Sequence, residues 1–249
     1  MPTESGLITD AISLINYVQN DLAHPSTRTV LLGQSLGTAV TAASALYFAE
    51  PSSAELPNTV TDLKSKGTGR PHPGFAGIVL VAPFRDLPSL LKTYRIGGLF
   101  PILKPLQGYP RIANYLSSQI VDSWQTKNRL LALVSSSLKS FHVTLLHARN
   151  DQDIDFWESE ALFAPLQSAM LAEEGVHTEE ERRTIHGGER VKRGAFAYKK
   201  IEDSKGERMV ELEVVRYGGH NEVVGWTQVS LAVRRAFERK SMKPGLDVE

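Results

Sequence analysis

The clearest chemical signal in the chain is five residues long: Gly33-Gln34-Ser35-Leu36-Gly37. A serine hydroxyl is a weak nucleophile until a sharp turn presents it beside a general base. Thr27-Arg-Thr-Val-Leu-Leu32, just before it, is short, apolar and β-prone; Thr38 to Phe48, just after it, is dense in alanine and closed by Pro51. That order predicts strand, turn and helix. The turn calls for small residues two before and two after Ser35, where a Cβ would meet neighbouring backbone. Oγ would then project at the sheet edge. The Leu36 N–H, at the helix N-terminus, would face negative charge on a tetrahedral intermediate as an oxyanion donor.

Such a serine needs a histidine base and an acid to orient it, met along the chain in the order serine, acid, histidine. His142-Val-Thr-Leu-Leu-His147 reads as a strand, and it runs into Ala-Arg-Asn-Asp151-Gln-Asp153-Ile-Asp155. A carboxylate just past a strand end would sit beside the turn; Asp151 is the first choice, Asp153 the reserve, and Asp155 caps the helix that follows. Of the seven histidines, His24, His72, His177 and His186 fall in predicted loops or insertions, and His142 and His147 flank a strand as structural residues. His220 follows the last strand in Tyr-Gly-Gly-His-Asn-Glu, where two glycines let the loop fold back toward the sheet edge. Ser35, Asp151 and His220 are therefore the expected catalytic set.

The elements that would carry these residues alternate. A helix is expected over 7–22, with Leu7, Ile8, Ala11, Ile12, Ile15, Val18 and Leu22 on one face. Strands are expected at 27–32, 75–82, 142–147 and 211–216, and helices at 38–48 and 157–171. A final helix would bury Trp226, Val229, Val233 and Phe237. Alternation of this kind predicts an α/β domain over 1–249, a parallel sheet with helices on both faces and its site at the C-terminal strand ends. Residues 51–74 and 173–208 read as surface insertions, the second a solvated mixed-charge run. Residues 87–140 hold either ordinary helices or a substrate-facing cap.

Composition narrows the classes. With 28 basic and 28 acidic residues the formal charge is zero, which speaks against a nucleic-acid binder. The absence of cysteine removes disulfides, thiolate metal sites and a cysteine nucleophile. No apolar run reaches the roughly 18–20 residues of a membrane span, and MPTESGLITD has no signal-peptide pattern. The expected chain is soluble and cytoplasmic.

Four blocks together resemble a family: Gly33-Gln-Ser-Leu-Gly-Thr38, Ala82-Pro-Phe-Arg-Asp86, His147-Ala-Arg-Asn-Asp151 and Gly219-His220. They look like the α/β-hydrolase fold superfamily. The likeness is strongest to its lipid-hydrolysing branch around alpha/beta-hydrolase domain-containing protein 12, the monoacylglycerol and lysophosphatidylserine lipases. Pro2-Thr-Glu-Ser-Gly-Leu-Ile-Thr-Asp10 also resembles the segment leading into the helix before the serine turn in that branch. The resemblance implies Ser35 as nucleophile, His220 as base, Asp151 as acid, a lipid-like acyl ester as substrate and no metal or organic cofactor. It also implies membrane association, at the endoplasmic reticulum, for a full-length parent. The branch follows the acid with valines and a proline, whereas this chain has Asp153-Ile-Asp155, which leaves Asp153 open as the acid.

The fold so implied has further strands and a His-Gly-type oxyanion loop before the first helix, and only 34 residues precede Ser35. The expectation is an N-terminally incomplete hydrolase whose strand at 27–32 has one unpaired, apolar edge. Loss of one oxyanion donor costs on the order of 100- to 1000-fold in rate, so weak activity and poor solubility are expected. The alternative is a non-catalytic or truncated hydrolase-like scaffold.

Overall fold

The computed structural model describes residues 2–61, 72–93, 95–96, 100–101, 121–175, 191–193 and 196–241. In chain order, the main elements are α1 (Glu4–Asn16), β1 (Val30–Gln34), α2 (Leu36–Ala49), β2 (Gly77–Val81), α3 (Leu87–Thr93), α4 (Thr126–Val134), β3 (Phe141–Ala148), α5 (Trp157–Glu173), β4 (Val191–Arg193), β5 (Phe196–Glu202), β6 (Arg208–Val215) and α6 (Thr227–Ser241). Six strands form one sheet in the order β1-β2-β3-β6-β5-β4. The first four run parallel; β5 lies antiparallel to β6, and β4 antiparallel to β5. This is an α/β fold with a mostly parallel sheet.

Strand residues alternate between two apolar layers, as side chains on a pleated sheet must. Ile78, Leu80, Val143, Leu145, Val210, Leu212 and Val214 face α1, α2, α4 and α5. Val79, Val81, Leu146, Ala148 and Val215 face α6. Toward the N-terminal ends of β3 and β6 the α6 side turns polar: Arg235 of α6 pairs with the buried Glu211 and Glu213. Among the described residues no helix is long and apolar enough to cross a membrane.

Several expectations shift. The charged run 173–208 is not all insertion: 196–202 is a full strand that turns the expected parallel sheet into a mixed one. Its backbone pairs with β6 while its charges find partners. Lys199 meets Glu160, and the Tyr198 hydroxyl donates to Glu211. The hairpin closes because Asp203 Oδ1 accepts the Glu207 and Arg208 amides. Within 51–74, Leu56 and Val60 belong to the core rather than the surface. Residues 62–71 and 176–190 lie outside the described set, as do His177, His186 and, within 87–140, residues 94, 97–99 and 102–120. Of the 87–140 region, α4 packs on α2 through Leu130 and Leu133, as an ordinary layer helix does.

α1 begins earlier than expected because Thr3 caps it, accepting the Gly6 amide. It passes into a π-turn at Tyr17–Asp21. The wider turn breaks the 3.6-residue phase, so Leu22 points to solvent instead of the core. In α6 the buried stripe is Val229, Ala232 and Ala236, while Trp226 and Phe237 stay partly exposed. Small alanines let that helix lie close to the sheet; the large aromatics flank the seam.

Among the described residues β1 is the last strand on its side of the sheet. Thr29 O accepts from the Ala76 amide and Ser35 N donates to Val81 O, so odd-numbered residues turn their backbone groups toward β2. Those of Val30, Leu32 and Gln34 turn outward, and among the described residues no strand meets them. Leu32 is 44% exposed there.

The start of the chain is fastened by a buried ion pair. Glu4 binds Arg129 of α4 through Oε1 and accepts the Trp124 amide on Oε2, with both charged side chains almost fully covered. Removing one member strands the other charge in low dielectric. Glu4→Ala is expected to lower unfolding free energy by about 3–5 kcal/mol in urea titrations. Glu238→Ala, which breaks a solvent-facing pair with Arg234, should cost less than about 1 kcal/mol.

Candidate active site

Ser35 sits between β1 and α2 with φ 52° and ψ −123°, a conformation that non-glycine residues rarely adopt. Its amide is tied to Val81 O at 2.9 Å, which fixes the turn to the neighbouring strand. Its carbonyl accepts from Thr38 Oγ1 at 2.6 Å and from the Thr38 amide at 3.0 Å. The Leu36 amide opens α2, where a helix offers it no internal acceptor.

The two glycines of the turn differ. A Cβ on Gly33 would lie 2.4 Å from both Gly37 O and Thr41 Oγ1, so only glycine lets the strand pass over the helix start. A Cβ on Gly37 would meet nothing within 4 Å, so the expected need for a small residue there does not hold.

His220 arrives on the loop after β6. Gly218 and Gly219 both take positive φ, 147° and 56°, which folds the loop back over the sheet edge. Two side chains then hold it: Gln34 Nε2 donates to His220 O at 2.8 Å, and Asn150 Oδ1 accepts the Gly219 amide at 3.3 Å. Neither was legible as a site residue, since a lone Gln and a lone Asn carry no spacing signal. The result joins three distant segments. Ser35 Oγ lies 3.0 Å from His220 Nε2, and His220 Nδ1 lies 2.7 Å from Asp151 Oδ2. A carboxylate can only accept, so Nδ1 carries the hydrogen and Nε2 is left to accept from the Ser35 hydroxyl.

Of the three aspartates, Asp151 is the one whose carboxylate reaches His220. Its Oδ1 accepts the amides of Asp153 and Ile154, both at 2.9 Å, and closes the loop. Asp155 Oδ1 accepts the Trp157 amide at the start of α5, the capping role expected of it. The Asp151 side chain is fully buried. Burial works against its charge, yet hydrogen bonds from His147, His220 and the Ile154 amide outweigh burial and hold the carboxyl well below its ordinary range. Burial likewise pulls His220 down, but the Asp151 hydrogen bond and charge, with the nearby Asp153 charge, leave it above its ordinary 6.5. His142 and His147 are buried within β3.

Gly33→Ala is expected to destabilise the fold by several kcal/mol, because two contacts at 2.4 Å fall on backbone and a packed side chain. Gly37→Ala, inside a helix with open space around it, should leave stability unchanged or raise it by up to about 1 kcal/mol. Paired thermal or urea unfolding of the two variants checks the contrast.

No family model matches the sequence, and no curated protein matches it. Among solved structures, the chain is similar to the crystal structure of an alpha-beta hydrolase (ABH) from Vibrio vulnificus, with TM-score 0.54 and 16% sequence identity. The match covers 94% of this chain and 57% of that one, so the chain spans little more than half the length of the structure it resembles. The fold of this chain is α/β-hydrolase-like.

Proposed function

We propose that the chain is a serine ester hydrolase that works through an acyl-enzyme, with Ser35 as nucleophile, His220 as general base and acid, and Asp151 as the orienting acid. One observation carries the reading: a continuous hydrogen-bonded line from Ser35 Oγ through both nitrogens of His220 to Asp151, starting at a strained turn. Ser35 Oγ attacks the acyl carbon as His220 Nε2 takes its proton. Asp151 fixes the ring and stabilises the imidazolium through Nδ1–H. The Leu36 amide and the start of α2 stabilise the oxyanion. His220 returns the proton to the departing alkoxide, and water then releases the acid by the same two steps in reverse roles.

The substrate class proposed is a lipid-like carboxylic ester of monoacylglycerol or lysophospholipid type. The sequence resemblance supports it. The α/β-hydrolase fold fits a small-molecule substrate. A scaffold without activity is the second reading, favoured by the outer edge of β1, next to the serine turn, which no strand among the described residues meets.

A fluorophosphonate probe separates the two readings. The hydrolase should label at Ser35, and Ser35→Ala should abolish the adduct in mass spectrometry; an unlabelled wild-type chain would sink the enzyme reading in favour of the scaffold. Among p-nitrophenyl esters, longer acyl chains should be turned over faster than acetate.

The pH dependence follows from His220. As a base it must be neutral, so kcat/KM should rise with pH through an inflection above 6.5 and fall away on the acid side. Asp153→Asn removes one charge that favours the imidazolium and should move the inflection to lower pH, with kcat at its plateau little changed.

A further inference from the structure

His147 is a fully buried imidazole in the otherwise apolar last turn of β3, and the reaction sequence above does not use it. Both ring nitrogens are engaged. Nε2 lies 3.0 Å from Ile154 O and 3.3 Å from Asp151 Oδ2; Nδ1 lies 2.7 Å from Ser159 Oγ at the start of α5. A backbone carbonyl only accepts, so Nε2 carries a hydrogen and donates it to Ile154 O, while Asp151 Oδ2 stands 3.3 Å from the same nitrogen, within ion-pair reach. The Ser159 hydroxyl completes the ring by donating to Nδ1.

The shape of the acid loop does not require this imidazole on Asp151. Two amide donors on Oδ1 already close residues 151–154. His147 instead reaches Oδ2, the same oxygen that accepts from His220. Asp151 therefore sits between two imidazoles, at the centre of a line running Ser159, His147, Asp151, His220, Ser35.

We propose that His147, seconded by Ser159, is a positioning residue that holds Asp151 Oδ2 in register with His220. The proposal rests on the reading of Ser35, His220 and Asp151 as a catalytic set. The chemistry asks for such a device. When His220 takes the serine proton, Asp151 has to stay anionic and aligned rather than rotate or draw the Nδ1 proton across. A second N–H dipole beside Oδ2 opposes both. The hydroxyl of Ser159, donating into the far side of the ring, polarises that N–H and strengthens it as a donor.

The positive end of the His147 N–H dipole also lies near His220 and disfavours its cation. Removing it should make His220 more basic, a change that mere loss of packing would not produce. The test is an NMR titration of the His220 ring nitrogens in the full chain, which needs no turnover. His147→Met, which fills the space without a donor, should raise the His220 midpoint by about half a pH unit. His147→Gln, whose amide can donate from the same place, should bring it back near the wild-type value. Ser159→Ala should shift it in the same direction by less, and decides the matter if His147→Met does not fold. An unchanged His220 midpoint in Ser159→Ala, or in a folded His147→Met, overturns the proposal. Failure of the catalytic reading would show separately, as a fluorophosphonate adduct that survives His220→Gln.

Discussion

A residue with a side chain held at φ 52° has to be gripped from both sides, and most of the architecture near the sheet edge can be traced to that grip. On one side the Ser35 amide is fastened to Val81 of β2; on the other its carbonyl is taken by Thr38 in the first turn of α2. The grip is tight because strand and helix cross with no room at Gly33 for even one carbon. Strain of this kind persists only where the surroundings over-determine it. Here they are a parallel β1–β2 ladder and a helix packed into the main core through Ala42, Ala43 and Leu46.

The other half of the site is fixed by saturation rather than strain. Asp151 collects two amides on one oxygen and two imidazoles on the other, so its charge is stabilised despite complete burial. β3 and β6 are paired in register to their ends, Ala148 opposite Val215, which brings the acid loop and the histidine loop to one level. The Arg149 amide bridges to Val215 O at 2.7 Å and carries the ladder one step past the strands. Side-chain clamps from Gln34 and Asn150 then set the remaining freedom of the His220 loop.

Much of this was legible in the sequence, for local reasons. The serine turn, the post-strand aspartate and the glycine-flanked histidine each carry their own neighbourhood, and apolar strands bounded by turn residues declare themselves. What was hidden depended on tertiary context. β5 is written in lysines and a glutamate because its charges find partners across the surface, and a mixed-charge run without pairing information reads as solvent. The phase slip at Tyr17–Asp21 leaves no mark in composition. Gly33 and Gly37 look equivalent in the motif, and only the crossing of strand over helix separates them. His147 read as structural, and nothing in its spacing told that its second contact would be the carboxylate used by His220.

The placement of the three residues along the chain also bears on how the molecule matures. Ser35 and His220 are 185 residues apart, His220 and Asp151 69 apart, and each lies just beyond a different strand of the parallel set. β1, β2, β3 and β6 join the sheet in the order in which they are synthesised, so the layer can grow one strand at a time from the ribosome outward. The line from serine to aspartate cannot close until the last of these strands is in place. Long-range closure of this sort is slow to form. Closure of the hydrogen-bonded line therefore waits on the placement of β6.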